Sequence, residues 1–193
     1  MLSKCQQRGF SLIELLVGIV IVSLLFALAA PNFSVWMQNQ QTRTAAESIL
    51  NGIQLARSVA VKNNGTARLS LCALPTASWE VLAASAPILG LPPASLACGA
   101  GSDAVAGEIR IQEHSGQEGS LNSVVAPVGG ITSVTFNNLG RVVGGVPARI
   151  DVTNPPKGDR QLSILVGGGG TIRMCDPSPL LIADDPRFCP PWP

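Results

Sequence analysis

The sequence predicts an α+β fold: one long N-terminal α-helix, with a hydrophobic half and an amphipathic half, packed on a C-terminal antiparallel β-sheet domain. Three observations predict it. Residues 10–30 form a tract of 21 residues whose only charge is Glu14. Beyond it, Ala46, Ile49, Ile53, Ala56 and Ala60 recur at intervals of three and four, with Phe33 ahead of them, the period of one helix face. After Gly65 the period falls to two, and clusters of Gly, Asn and Pro separate short alternating runs, the pattern of strands and turns.

At 193 residues the chain suits one domain with a real core and is short for two. Its 13 Lys and Arg stand against 12 Asp and Glu, so no net charge draws it to nucleic acid or anionic lipid. The mean hydropathy of +0.34 is high for a soluble domain, and the 10–30 tract accounts for most of it.

Residues 1–9 read as a basic leader carrying Lys4 and Arg8. The next segment, 10–31, would rise about 30 Å as a helix, the thickness of a bilayer core. Positive charge ahead of it keeps the leader in the cytoplasm and sends the remainder out. An ordinary secretory signal would share the basic start, with Ala27-Leu28-Ala29 as its cleavage site. Two features oppose that reading. An acidic side chain in an apolar core is unfavourable, by roughly 2.5–3.5 kcal/mol for Asp at a helix centre and less near an end. The helical pattern also continues past Pro31, where a signal peptide should stop.

The amphipathic half, 32–64, runs to about Lys62, and Asn63-Asn64-Gly65 supplies the left-handed geometry that ends a helix. Its apolar face calls for a sheet, while Arg43, Glu47, Arg57 and Lys62 sit off that face. The rest, 65–193, supplies the strands. Alternation predicts them over 67–73, 79–82, 108–112, 131–136, 141–143, 148–152, 161–166 and 171–174, with turns at Pro75, Asn137-Asn138 and Gly144-Gly145. Residues 84–106, rich in Ala, Pro, Ser and Gly, read as a long loop.

Five cysteines occur, and Cys5 lies in the leader. Its loss leaves Cys72, Cys98, Cys175 and Cys189, an even number suited to two disulfides in an oxidising compartment. Three pairings are possible. The entropy of loop closure favours Cys72–Cys98 and Cys175–Cys189. A zinc site is disfavoured by the absence of any Cys-x-x-Cys pair and by the distance in sequence of the single His114.

Little in the chain points to catalysis. His114 sits in Glu113-His114-Ser115-Gly116, which reads as a polar turn, and no nucleophile elbow or metal spacing accompanies it. Gly167-Gly168-Gly169-Gly170 lacks the Lys-Ser/Thr of a phosphate loop and precedes a strand instead of a helix. The expectation is a protein that is not an enzyme and has no cofactor and no metal.

The segment Gly9-Phe10-Ser11-Leu12-Ile13-Glu14-Leu15-Leu16 resembles the cleavage signal of type IV prepilins and type II secretion pseudopilins. The resemblance implies that a prepilin peptidase cuts between Gly9 and Phe10 and N-methylates Phe10. It makes Glu14 the fifth mature residue and Pro31 the twenty-second, where pilins commonly carry a helix-kinking proline. Physical sense follows. A glycine at the scissile bond lets a peptidase approach the backbone. A carboxylate in an apolar helix needs a partner, and the family's proposed one is the α-amino group of a neighbouring subunit. Glu14 would then set axial register during assembly; as a lone residue it could otherwise snorkel to the interface.

Farther on, Phe136-Asn137-Asn138-Leu139-Gly140-Arg141-Val142, followed by Gly169-Gly170-Thr171-Ile172-Arg173-Met174-Cys175-Asp176-Pro177, resembles the GspH/FimT/FimU group of minor pilins and pseudopilins. The resemblance rests on 8–62 and 130–193. It implies the type IV pilin fold and a minor pilin that helps initiate or cap a type IV pilus. Its partners would be other major and minor pilins, the prepilin peptidase and an inner-membrane assembly platform. The chain would be a single-pass inner-membrane protein with a periplasmic domain before it enters the pilus or pseudopilus. The alternative is a minor pseudopilin of a type II secretion system. A third reading, DNA uptake, draws on a Gly-Arg-x-Arg motif of some FimT-like members, from which this chain departs: Thr171 stands where the first Arg belongs, and Gly140-Arg141-Val142-Val143 lacks the second. Each lost phosphate contact weakens binding and lowers its salt slope by about 0.9, so DNA is not an expected partner. The tail from Cys175 to Cys189 reads as a disulfide-closed loop, at a subunit contact or simply tethering the terminus, and Trp192 follows it.

Overall fold

A helix needs acceptors for the N–H groups of its first turn, and Ser11 provides one: its hydroxyl accepts from the Glu14 N–H at 3.2 Å. In the computed structural model, which describes residues 11–72, 74–84, 108–145, 148–156, 158 and 160–190, this cap opens α1 (Leu12–Lys62). The helix ends at the expected signal. Asn63 and Gly65 donate back to the Val59 and Ala60 carbonyls, and Asn64 takes a positive φ of 48°, which Asn tolerates better than branched residues do.

Among the described residues eight strands follow: β1 (Ala67–Cys72), β2 (Ser78–Ala84), β3 (Glu108–His114), β4 (Val124–Pro127), β5 (Ser133–Phe136), β6 (Ala148–Thr153), β7 (Leu162–Val166) and β8 (Ile172–Cys175). They form two four-stranded sheets, ordered β3-β2-β1-β5 and β4-β6-β7-β8, with every neighbouring pair antiparallel. The second half of α1 packs on both sheets. Ala46, Ile49, Ile53, Ala56 and Ala60 have no exposed surface, and Ala45 joins them. Opposite them lie Leu69, Trp79, Val81, Phe136, Ile150 and Ile164 in one core. Burying each Ile side chain is worth about 1.5–3 kcal/mol, so this face supplies much of what holds the helix down. Gly52 lets the helix approach closely: a Cβ there would stand 2.7 Å from Leu69 Cδ1 and 3.0 Å from the Trp79 ring.

Three elements differ from the sequence expectation. β4 has only four residues and ends in Pro127, so it shows no usable alternation; as an edge strand it tolerates the proline. Residues 141–143 are not a strand. Positive-φ glycines at 140, 144 and 145 bracket them, leaving a single bridge between Phe136 and Val142. His114 is the last residue of β3 and not part of a turn; its ring stacks on Trp79 at 5.6 Å. The expected loop over 84–106 lies outside the described residues after Ala84, which closes β2.

Candidate functional site

The first half of α1 carries side chains that the domain does not cover. Leu12, Ile13, Leu15, Leu16, Val17, Ile19, Val20, Ile21, Val22, Leu24, Leu25 and Phe26 are all between 49% and 83% exposed. Apolar side chains left in the open at this density mark a surface meant for burial elsewhere. Glu14 stands near its start, beside a notch formed by Leu15, Gly18, Ile19 and Val22. Among the described residues its carboxylate has no hydrogen bond or ion pair. Its place in the first turn suits a negative charge, because unpaired N–H groups there carry partial positive charge.

The Ser11 cap was legible but unread: Ser11-Leu12-Ile13-Glu14 fits the Ser-x-x-Glu capping pattern. Ser11 therefore orients the turn that displays Glu14. Gly9 and Phe10, the expected cleavage pair, lie outside the described residues, as does Cys5. Position 31 falls within the unbroken span of α1; the Pro31 side chain is not among those described. No helix among the described residues is long and apolar enough to cross a membrane. The described side chains of the tract, 12–27, rise only about 24 Å against a core of about 30 Å.

At the other end of the chain, Cys175 and Cys189 form a disulfide. Cys72 is also disulfide-bonded, and Cys98, its expected partner, lies outside the described residues. The loop between Cys175 and Cys189 is tied down further: Asp176 bridges to Phe188, and the Asp176 N–H donates to the Arg187 carbonyl at 2.7 Å. Arg187 grips the Asp185 carboxylate with two guanidinium nitrogens, at 3.0 and 2.8 Å, and these bonds hold Asp185 down at about 2. The tip stays apolar and open, with Leu180 89% and Ile182 70% exposed.

The remaining candidates make local contacts within the domain. Arg173 donates to the Phe188 carbonyl at 3.3 Å and stands near Thr171, not near a second arginine in the motif position. Gly170, with φ of 86°, packs so closely that a Cβ would lie 1.9 Å from the Gly140 carbonyl oxygen. His114 Nδ1 lies 3.4 Å from a Glu118 oxygen. Among the described residues no three His, Cys, Asp or Glu side chains come close enough together to hold a metal.

Comparison with known proteins connects these features. Residues 45–170 match the family model described as type II transport protein GspH, and residues 4–30 match the prokaryotic N-terminal methylation motif. No curated protein matches the chain. Among solved structures, the type IV minor pilin FimU of Pseudomonas aeruginosa (strain PAO1) aligns at 16% identity with a TM-score of 0.54, covering 72% of this chain and 91% of that one. The minor pseudopilin EpsH from the type 2 secretion system of Vibrio cholerae aligns at 14% identity with a TM-score of 0.50, covering 72% and 98%. At these identities the likeness is one of fold: a long helix lying on antiparallel sheets.

Proposed function

The chain belongs to the GspH family of type II transport proteins, and from that premise we propose that it is a minor type IV pilin, incorporated into a pilus and helping to initiate or cap its assembly. The observation that carries this reading is the uncovered apolar half of α1 with one unpartnered carboxylate at its capped start. Such a surface is satisfied inside a bundle of like helices. There the apolar side chains leave solvent and lipid, and Glu14 meets a positive group only in the correct register, since a carboxylate left unpaired in hydrocarbon is costly.

In this reading the methylation motif directs cleavage at Gly9–Phe10, and the domain stands on the far side of the inner membrane until it is drawn into the filament. Other pilins, the prepilin peptidase and the assembly platform are its partners. The work is done by packing and charge pairing, without catalysis. The second reading, a minor pseudopilin of a type II secretion system, is favoured by the family description itself and uses the same surface.

A deletion strain scored for piliation, protein secretion and DNA transformation separates the readings. Loss of piliation with normal secretion supports the pilus, and the converse supports the pseudopilus. Glu14→Ala, restored to that strain, is expected to leave processing intact and to cut incorporation into filaments about tenfold or more, as a register-setting charge requires. Incorporation at the normal level would remove the role given to that carboxylate.

A further inference from the structure

The end of the domain from which α1 emerges has a composition that the assembly role does not use. Phe33 and Trp36 stand together on α1 with ring centroids 5.6 Å apart, 60% and 53% exposed. The Trp36 indole N–H has no hydrogen-bond partner among the described residues. The sequence turns abruptly polar after Met37, with Gln38-Asn39-Gln40-Gln41. At the level of Asn39, a cavity of about 380 Å³ opens between α1 and the disulfide loop, lined by Asn39, Arg160, Asp176, Ser178 and Leu180.

Arg160 is held at this level by its backbone, whose N–H donates to Asn39 Oδ1 at 3.2 Å. Its neighbours Arg43 and Arg187 are occupied by Glu47 and Asp185. The half-buried Arg160 guanidinium has no hydrogen-bonded partner among the described residues. Asp176, the acid in the same cavity, accepts from the Ser178 N–H.

Resting on the membrane-anchored reading above, we infer that this end of the domain is a docking face for the phospholipid headgroup layer. Phe33 and Trp36 lie at the hydrocarbon boundary, Arg160 binds a lipid phosphate, and Leu180 dips toward the acyl chains. Helix length decides the placement. Counting from Leu12, α1 rises about 32 Å to Phe33, about 36 Å to Trp36 and about 40 Å to Asn39. A bilayer of about 40–45 Å whose hydrocarbon core is about 30 Å has headgroup layers of about 5–7 Å. With Leu12 at its cytoplasmic face, it brings Trp36, and Phe33 one turn inside, to the outer hydrocarbon boundary, where Trp is favoured. It also brings the Arg160 level among the phosphates. Arg43, about 46 Å along, lies beyond them. The face would seat the subunit at a fixed height before it leaves the membrane.

The test uses the full chain in nanodiscs of phosphatidylcholine and phosphatidylglycerol, with bromine carried either shallow or deep on the acyl chains. The difference in emission between the native protein and Trp36→Phe isolates Trp36. Shallow bromine is expected to quench it at least about twofold more than deep bromine, as an interfacial indole requires. Hydrogen exchange at the amides around Arg160 and Leu180 should be about fivefold or more slower in nanodiscs than in maltoside micelles, and Arg160→Gln should abolish most of that slowing. Equal quenching from both depths, or unchanged exchange, overturns the docking face while the anchor stands. Equal protection in micelles by inorganic phosphate alone overturns the lipid as ligand. A chain washed from the discs by alkali overturns the anchored reading as well.

Discussion

At the scale of single residues, Gly170 shows how a turn that looks merely flexible in sequence is held by contact. The run from Gly167 to Gly170 joins β7 to β8, and Gly170 N–H donates to the Gly167 carbonyl at 2.8 Å. Its positive φ and its approach to the Gly140 carbonyl leave no room for a side chain. Arg57, from α1, donates to that same carbonyl at 3.1 Å, so helix and both turns meet at one oxygen. Gly170→Ala is expected to destabilise the domain by about 2 kcal/mol or more, from the strained φ and the displaced carbonyl together. Chemical denaturation checks it; a midpoint unchanged from the native protein would show that the turns can separate freely. The sequence shows that Gly167 to Gly170 precedes a strand and is no phosphate loop. It could not reveal Arg57 and Gly140, because their meeting depends on tertiary placement across 83 residues.

At the scale of elements, the helix face was the most legible feature. Repetition at three and four residues reports directly which side of a helix leaves water: Ala46, Ile49, Ile53, Ala56 and Ala60 are fully buried, whereas Phe33, ahead of the sheets, is 60% exposed. Gly52 is legible only in the structure, where it sets how near the helix lies to β1 and β2. Gly52→Val should cost about 1–3 kcal/mol through overpacking against Leu69 and Trp79, despite the better helix propensity of a side chain; thermal unfolding measures it. The short β4 escaped, and 141–143 was expected as a strand where only one bridge forms, because period-two reading needs four or more alternating positions free of glycine turns. In the Cys175–Cys189 loop, the Asp185–Arg187 pair gives a pH dependence of known sign. Asp185 has a lower pKa folded than unfolded, so its contribution is present above about 3.8 and is lost as pH falls through about 2. A carboxyl titration by NMR should show this midpoint, and Asp185→Asn should remove the acid-induced loosening of the loop; a titration near 3.8 would mean the pair does not form.

For the whole molecule, the expectation that binds the N-terminal half to the domain is processing. Mass spectrometry of the filament-associated protein should find N-methylated Phe10 at its start; a start at Ala30 would instead make the domain a freely secreted protein. How the domain itself is fastened to α1 has a mechanical consequence. The helix is continuous over about 75 Å, and its second half lies along both sheets and not end-on to either. Tension pulled through the first half therefore reaches the domain as a sliding load, shared at once by Ile49, Ile53 and the small residues between them. To strip the helix from the sheets, many contacts must fail together, as in a lap joint. A subunit built this way is suited to transmit force along a fibre without first unravelling at its weakest contact.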